Sequence, residues 1–161
     1  MLPGVETLSA SSNNPYDSSR FQVAIGALVS GPAATFTECH LPAVSIEVIE
    51  YRQGADLMNN IHKLPGLIKY GNLVLKRGLA NSMALWDWFS SFVSGTGSAQ
   101  TVTVTLLDSG KNPMVKWEFT DAWPMKYESP ALNGKTSSLA IETLEIAVEG
   151  MKVLSTGAQG T

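Results

Sequence analysis

A single cysteine, Cys39, stands in this chain of 161 residues. One thiol excludes an internal disulfide framework and fits synthesis in a reducing compartment. Its expected role is that of a small buried hydrophobe. Charge is sparse as well: 16% of the residues are Asp, Glu, Lys or Arg, against about 25% in ordinary soluble domains. The formal net charge is -3 and the eleven Lys and Arg are scattered, so the basic excess that nucleic-acid binding needs is missing. No segment approaches the ~20 apolar residues that span a bilayer. The first residues lack the basic start and apolar run of a secretory signal, which predicts a chain made in the cytoplasm without a signal peptide.

Reactive constellations are also scarce. Cys39 and His40 are adjacent, and neighbours in a strand point to opposite faces, so they form no thiolate–imidazole dyad. His62 is the other histidine; without a second spaced His, Cys or Asp it makes no metal site. Glu47 and Glu50 lie an odd number of positions apart, which separates them on a regular strand and makes a poor acid/base pair. Gly54 and Gly66 lack the GK[ST] signature of a phosphate loop and read as turn glycines. The four tryptophans are expected in core or interface packing, with Trp123, beside a proline, the one with a chance of exposure. The sequence thus predicts no enzyme, no cofactor and no metal.

What is present is apolar material, 44% of the chain, in an alternating pattern. The length suits one domain with a substantial core. Residues 1–19, rich in Ser, Asn, Gly and Pro, read as a flexible arm, 20–154 as the domain, and 155–161 as a flexible tail. Phe21, Val23, Ile25, Ala27 and Val29 share one parity and predict a half-buried strand ended by Gly31-Pro32. A short run follows from Thr35 to His40, and Val44, Ile46 and Val48 then oppose Ser45 and Glu47. From Asn72 to Leu79, Leu73, Leu75 and Leu79 face one way; Arg77 shares that parity, which predicts an edge position.

One helix interrupts the pattern. Asn81 or Ser82 is its expected cap, Leu85, Trp88, Phe89 and Phe92 form its apolar stripe, and Gly95 its stop. That stripe must cover a sheet. Further on, Thr101, Thr103 and Thr105 alternate with Val102, Val104 and Leu106, and after a turn at 108–111 Val115, Trp117 and Phe119 oppose Lys116, Glu118 and Thr120. Pro124 marks an edge, a bend or a strand change. From Ser137 to Leu154 the apolar parity switches and Glu142, Glu145 and Glu149 also fall at helical spacing; the β-branched residues and tight alternation favour strand over helix, with a β-bulge near Thr143 to restore one face.

The connection from Gln53 to about Tyr70 is too long for a tight turn and carries Leu57, Met58, Ile61, Leu64, Leu67 and Ile68. Loops of this length usually have a task, and apolar residues in one need something to bury against. The low charge also suits a subunit covered by copies of itself.

The blocks FTEC (36–39), IEVIEYRQGAD (46–56), KLPGLIKYGNLVLKRG (63–78), LWDWF (85–89), LLD (106–108), WEFTDAWPMKY (117–127) and AIETLEIAVEG (140–150) resemble the T4-like phage tail tube family, which includes inner tube proteins of extracellular contractile injection systems. The resemblance covers about Arg20 to Val153. It implies a mainly β fold, a small antiparallel β-sandwich or barrel with one flanking α-helix and a long intersubunit loop. It also implies hexameric rings stacked into a rigid hollow tube that sheath contraction drives through a target envelope. The implied partners are further copies of the chain, a sheath protein, baseplate or spike initiators, a cap or terminator, and cargo effector or DNA in the lumen, with no sequence-specific nucleic-acid binding. Its setting would be a phage tail, or an extracellular or membrane-attached injection particle. On this resemblance Leu57, Met58, Ile61, Leu64, Pro65, Gly66 and Tyr70 become the intersubunit contact, and Thr101, Thr103 and Thr105 the candidate lumen face. A monomeric β-barrel that binds a small molecule is the competing expectation.

Overall fold

The computed structural model describes residues 16–29, 36–52, 54 and 61–155; the greater part of the two terminal segments, together with Leu57 and Met58, lies outside the described residues. Among the described residues nine strands and one helix follow in the order β1 (Phe21–Ile25), β2 (Glu38–His40), β3 (Val44–Tyr51), β4 (His62–Tyr70), β5 (Leu73–Gly78), α1 (Ala84–Val93), β6 (Gln100–Leu107), β7 (Pro113–Glu128), β8 (Ile141–Ala147) and β9 (Gly150–Ser155). The fold is mainly β and antiparallel, with one short helix.

Strand β7 organises it. Its first half pairs with β6 on one side and β9 on the other, while Trp123–Glu128 pairs with β8. The change of partner falls where Asp121 takes a positive φ of 50° and Pro124 removes a ladder donor. The strand change expected at Pro124 is therefore present. Two layers result, β1-β6-β7-β9 and β7-β8-β5-β2, sharing β7 as their corner. Val23, Ile25, Val102, Val104 and Phe119 from the first meet Leu73, Leu75, Leu144 and Ile146 from the second in one core. Helix α1 adds buried Leu85 and Trp88, with Phe92 half-buried against the same core.

Several expectations are corrected. Strand β1 ends at Ile25, not at Gly31-Pro32, because Gly26 turns with a φ of 47°; Val29 still reaches the core after that turn. Arg77 is not at an edge: β5 lies between β8 and β2, and the guanidinium is buried against Glu142. The C-terminal run is strand, as expected, but β5 and β8 pair without interruption through Thr143. The apolar parity switches instead at Val148–Glu149, between β8 and β9, and Leu139 is exposed. Helix α1 takes Met83 as its N-cap without a side-chain cap bond, although Ser82 Oγ accepts the Ala84 N–H at 3.4 Å. Gly95, with a φ of 79°, ends it in the left-handed conformation that glycine adopts freely. Trp86 as well as Trp123 is exposed.

The largest correction concerns 53–70. The expected loop is in its second part a strand: β4 pairs with β3 along its length in a separate two-stranded sheet.

Candidate assembly surface

Sequence pattern and register together explain why this hairpin exists. Glu38 faces Lys76 and His40 faces Val74 in the β2–β5 ladder, and Val44 faces Tyr70 and Ile46 faces Ile68 in the β3–β4 ladder. The residue numbers in each pair sum to the same value, so both ladders belong to one long hairpin in one register. The Gly71 N–H bonded to the Ala43 carbonyl at 2.8 Å joins them. The proximal part lies in the second layer; β3 and β4 continue past it as an arm. Among the described residues the arm makes no extended contact with another element, apart from Tyr70 at its base, half-buried against the core.

An arm of two strands has little to hold it in water, yet its side chains are mostly apolar and exposed. Val44, Ile46, Val48, Ile49, Tyr51, Ile61, Leu64, Leu67 and Ile68 all stand open, Leu67 at 72%. Pro65 and Gly66 sit at its one irregularity: opposite Glu47 the ladder gains a residue on β4, between Ile46–Ile68 and Val48–Pro65. A bulge tolerates the missing proline donor. A Cβ on Gly66 would lie 2.9 Å from the Glu47 carbonyl oxygen and 3.1 Å from the Ile49 side chain, so only glycine fits without displacement.

The expected contact residues thus share one arm, except Leu57 and Met58. Unforeseen members are Val44, Ile46, Val48, Ile49 and Tyr51 on β3, whose alternation was visible but whose pairing with 62–70 was not. Of the threonines, Thr101 is exposed while Thr103 and Thr105 are half-buried, on the face opposite Val102 and Val104. Cross-strand neighbours on that outer face are Ala24 and Glu118 beside Thr103, and Gln22 and Lys116 beside Thr105.

The body offers two further apolar features. A cleft of about 360 Å³ opens between β2 and the first layer, walled by Phe21, Cys39, Leu41, Val104, Leu106 and Trp117. Burial pushes the Cys39 thiol up to about 12, which makes it unreactive. At its rim Glu38 is held below the usual carboxylate range by its bond to Lys76, then by His40. Alongside α1, Trp86 packs edge-on to Tyr127 at 5.2 Å and Phe92 stacks with Trp123 at 6.2 Å, forming an aromatic strip with both indoles partly open. Among the described residues no group of His, Cys, Asp or Glu is placed to hold a metal, and no helix is long and apolar enough to cross a membrane.

This two-layer body with its projecting arm coincides with a known family: the T4-like virus tail tube protein gp19 profile matches residues 17–152. The chain belongs to that family. It is a tail tube subunit, a structural and not an enzymatic protein. No curated protein sequence matches it closely enough to count as a relative. Solved structures repeat the tail tube fold. A chain of the PVC extracellular contractile injection system, from its sheath-tube complex in the extended state, superposes with a TM-score of 0.79 at 20% identity, covering 95% of this chain and 100% of that one. One from the tube-terminating cap of the anti-feeding prophage gives 0.79 at 19% identity over 96% and 100%. One from the six-fold symmetrised baseplate of the same particle gives 0.75 at 23% over 90% and 99%.

Proposed function

We propose that this tail tube protein closes into hexameric rings that stack as a rigid hollow tube, and that contraction of a surrounding sheath drives the tube through a target envelope with cargo effector or DNA in its lumen. The exposed apolar arm carries this reading: among the described residues it makes no extended contact with its own body beyond Tyr70 at its base, and a surface of this kind marks an interaction site. Sheet topology supports it. The first layer presents β1 at one edge and β9 at the other, and unpaired edges invite strand addition. Its four strands alternate in direction, so β9 of one copy meets β1 of the next antiparallel, and a ring closes without a parallel seam. Closure in this way turns the face of Thr101, Thr103 and Thr105 into a polar lumen. Partners by this reading are other copies, a sheath, a baseplate or spike initiator and a terminator, in a phage tail or an injection particle. The likeness to chains from sheath-tube, cap and baseplate assemblies supports it. Negative-stain microscopy of the purified protein tests it: six-fold rings or tubes are expected. A monodisperse monomer by light scattering, even after addition of a baseplate seed, overturns it in favour of a self-contained binding protein.

A further inference from the structure

We propose that the β3–β4 arm is bivalent, gripping two different copies of this chain at once, one on each face and at different heights. This rests on the self-assembly reading above. Paired residues of a ladder share a face and successive residues alternate. On one face the arm presents Val44–Tyr70, Ile46–Ile68 and Val48–Pro65, then the pair Glu50–Lys63 towards the tip. On the other face it presents Ser45–Lys69 and Glu47 near the base, then Ile49–Leu64 and Tyr51–His62 towards the tip, the last two rings 5.4 Å apart. The apolar surface therefore changes sides just past the Glu47/Gly66 bulge, between Val48–Pro65 and Ile49–Leu64. Behind the proximal apolar patch lies the Lys69–Glu47 ion pair at 3.4 Å, and behind the distal one the Lys63–Glu50 pair at 3.9 Å. Each patch thus has an ion pair behind it, with Leu67 exposed at the bulge between them.

One partner lying along one side would cover an apolar patch at one height and an ion pair at the other, leaving the second apolar patch in water. Two partners, one on each side, cover both. Each face is neutral once its Lys–Glu pair is counted, so neither contact carries an uncompensated charge into an apolar neighbour. The occupants are copies of this chain because the body carries two apolar receivers, the cleft at Phe21, Leu106 and Trp117 and the strip at Trp86 and Trp123. The arm runs in register away from its own body and reaches neither. Complementary but non-identical surfaces on one chain make heterologous contacts, the kind that generates rings and filaments.

Face-specific variants test this in the full chain. Threonine keeps strand preference while removing apolar bulk, so Ile46→Thr with Ile68→Thr disables the proximal face, and Ile49→Thr with Leu64→Thr the distal one. Size-exclusion chromatography with light scattering is expected to show limited oligomers for each pair and nothing beyond a single ring for the four-fold variant. Full-length tubes from either pair, or monomers from one pair alone, overturn bivalency. A benzophenone side chain placed at Ile68 or at Leu64 reads the same contacts in otherwise unaltered assemblies. Cross-links from the two positions are expected on separate surfaces of neighbouring copies; one shared patch, or the chain's own body, overturns the proposal. A wild-type chain that never assembles removes the self-assembly reading, and bivalency falls with it.

Discussion

Arg77 and Glu142 face each other across β5 and β8 where only apolar side chains are expected, and both are buried. Their neighbours explain why the charges are tolerated. The guanidinium bonds Glu142 through Nε and the Ser82 carbonyl through Nη2 at 2.9 Å, while the Tyr127 hydroxyl donates to the other Glu142 oxygen at 2.7 Å. The network ties β5, β7 and β8 to the segment leading into α1. Breaking a buried pair from one side leaves a stranded charge, at a cost of ~3–5 kcal/mol, whereas replacing both partners with apolar groups costs much less. In urea unfolding, Arg77→Met alone is therefore expected to destabilise more than Arg77→Met with Glu142→Leu. Tyr127 adds a pH dependence: desolvation first, then its bond to Glu142, push the phenol up to about 12. A raised folded pKa gives stability that is complete below the unfolded value, about 10, and is lost as pH rises towards 12. Tyr127→Phe is expected to flatten that alkaline loss in melts recorded across the same window.

At the scale of elements, the arm depends on one glycine. A methyl at position 66 meets the Glu47 carbonyl and the Ile49 side chain, so Gly66→Ala forces the bulge open, alters the relation of the two apolar faces and leaves the distant core intact. The expected outcome is an unchanged melting temperature for the dissociated chain with a loss of rings and tubes by microscopy; unfolding of the subunit would show instead that the arm supports the core. The arm also shows what was legible in the sequence. Alternation placed Val102, Val104 and Phe119 in the core, and helical spacing found Leu85 and Trp88, because each pattern reports one buried face. For 62–70 that signal fails: Leu64, Leu67 and Ile68 follow no single parity, since Pro65 and Gly66 add a residue, and all three stand exposed, so no buried face imposes a pattern. A strand apolar on both sides reads as a greasy loop. Arg77 was misplaced for a related reason. Its partner Glu142 sits on the buried parity of β8 with Leu144 and Ile146, and matching one charge in each of two core patterns would have found the pair.

For the whole molecule, the deciding question in the proposed ring is which of the two layers would face the lumen. The second layer has β7 at one border, alongside which α1 packs, and the short β2 of three residues at the other, so it is poorly made for propagation through both edges. The first layer ends in β1 and β9, of five and six residues, and its outer face sets threonines among Gln22, Lys116, Glu118 and Lys152. In the proposed tube, such hydroxyls and alternating charges would let water stay between wall and cargo and so limit adhesion during passage. Substituting Thr103→Trp and Thr105→Trp narrows such a lumen from every subunit at once without touching Val102 or Val104 beneath. Assembled tubes of normal outer diameter but with reduced central density by cryo-microscopy, and with impaired cargo loading, are the expected result. If the same substitutions abolish assembly while the centre of the tube is unaffected in milder Thr103→Val tubes, that face is a contact surface and the other layer lines the channel.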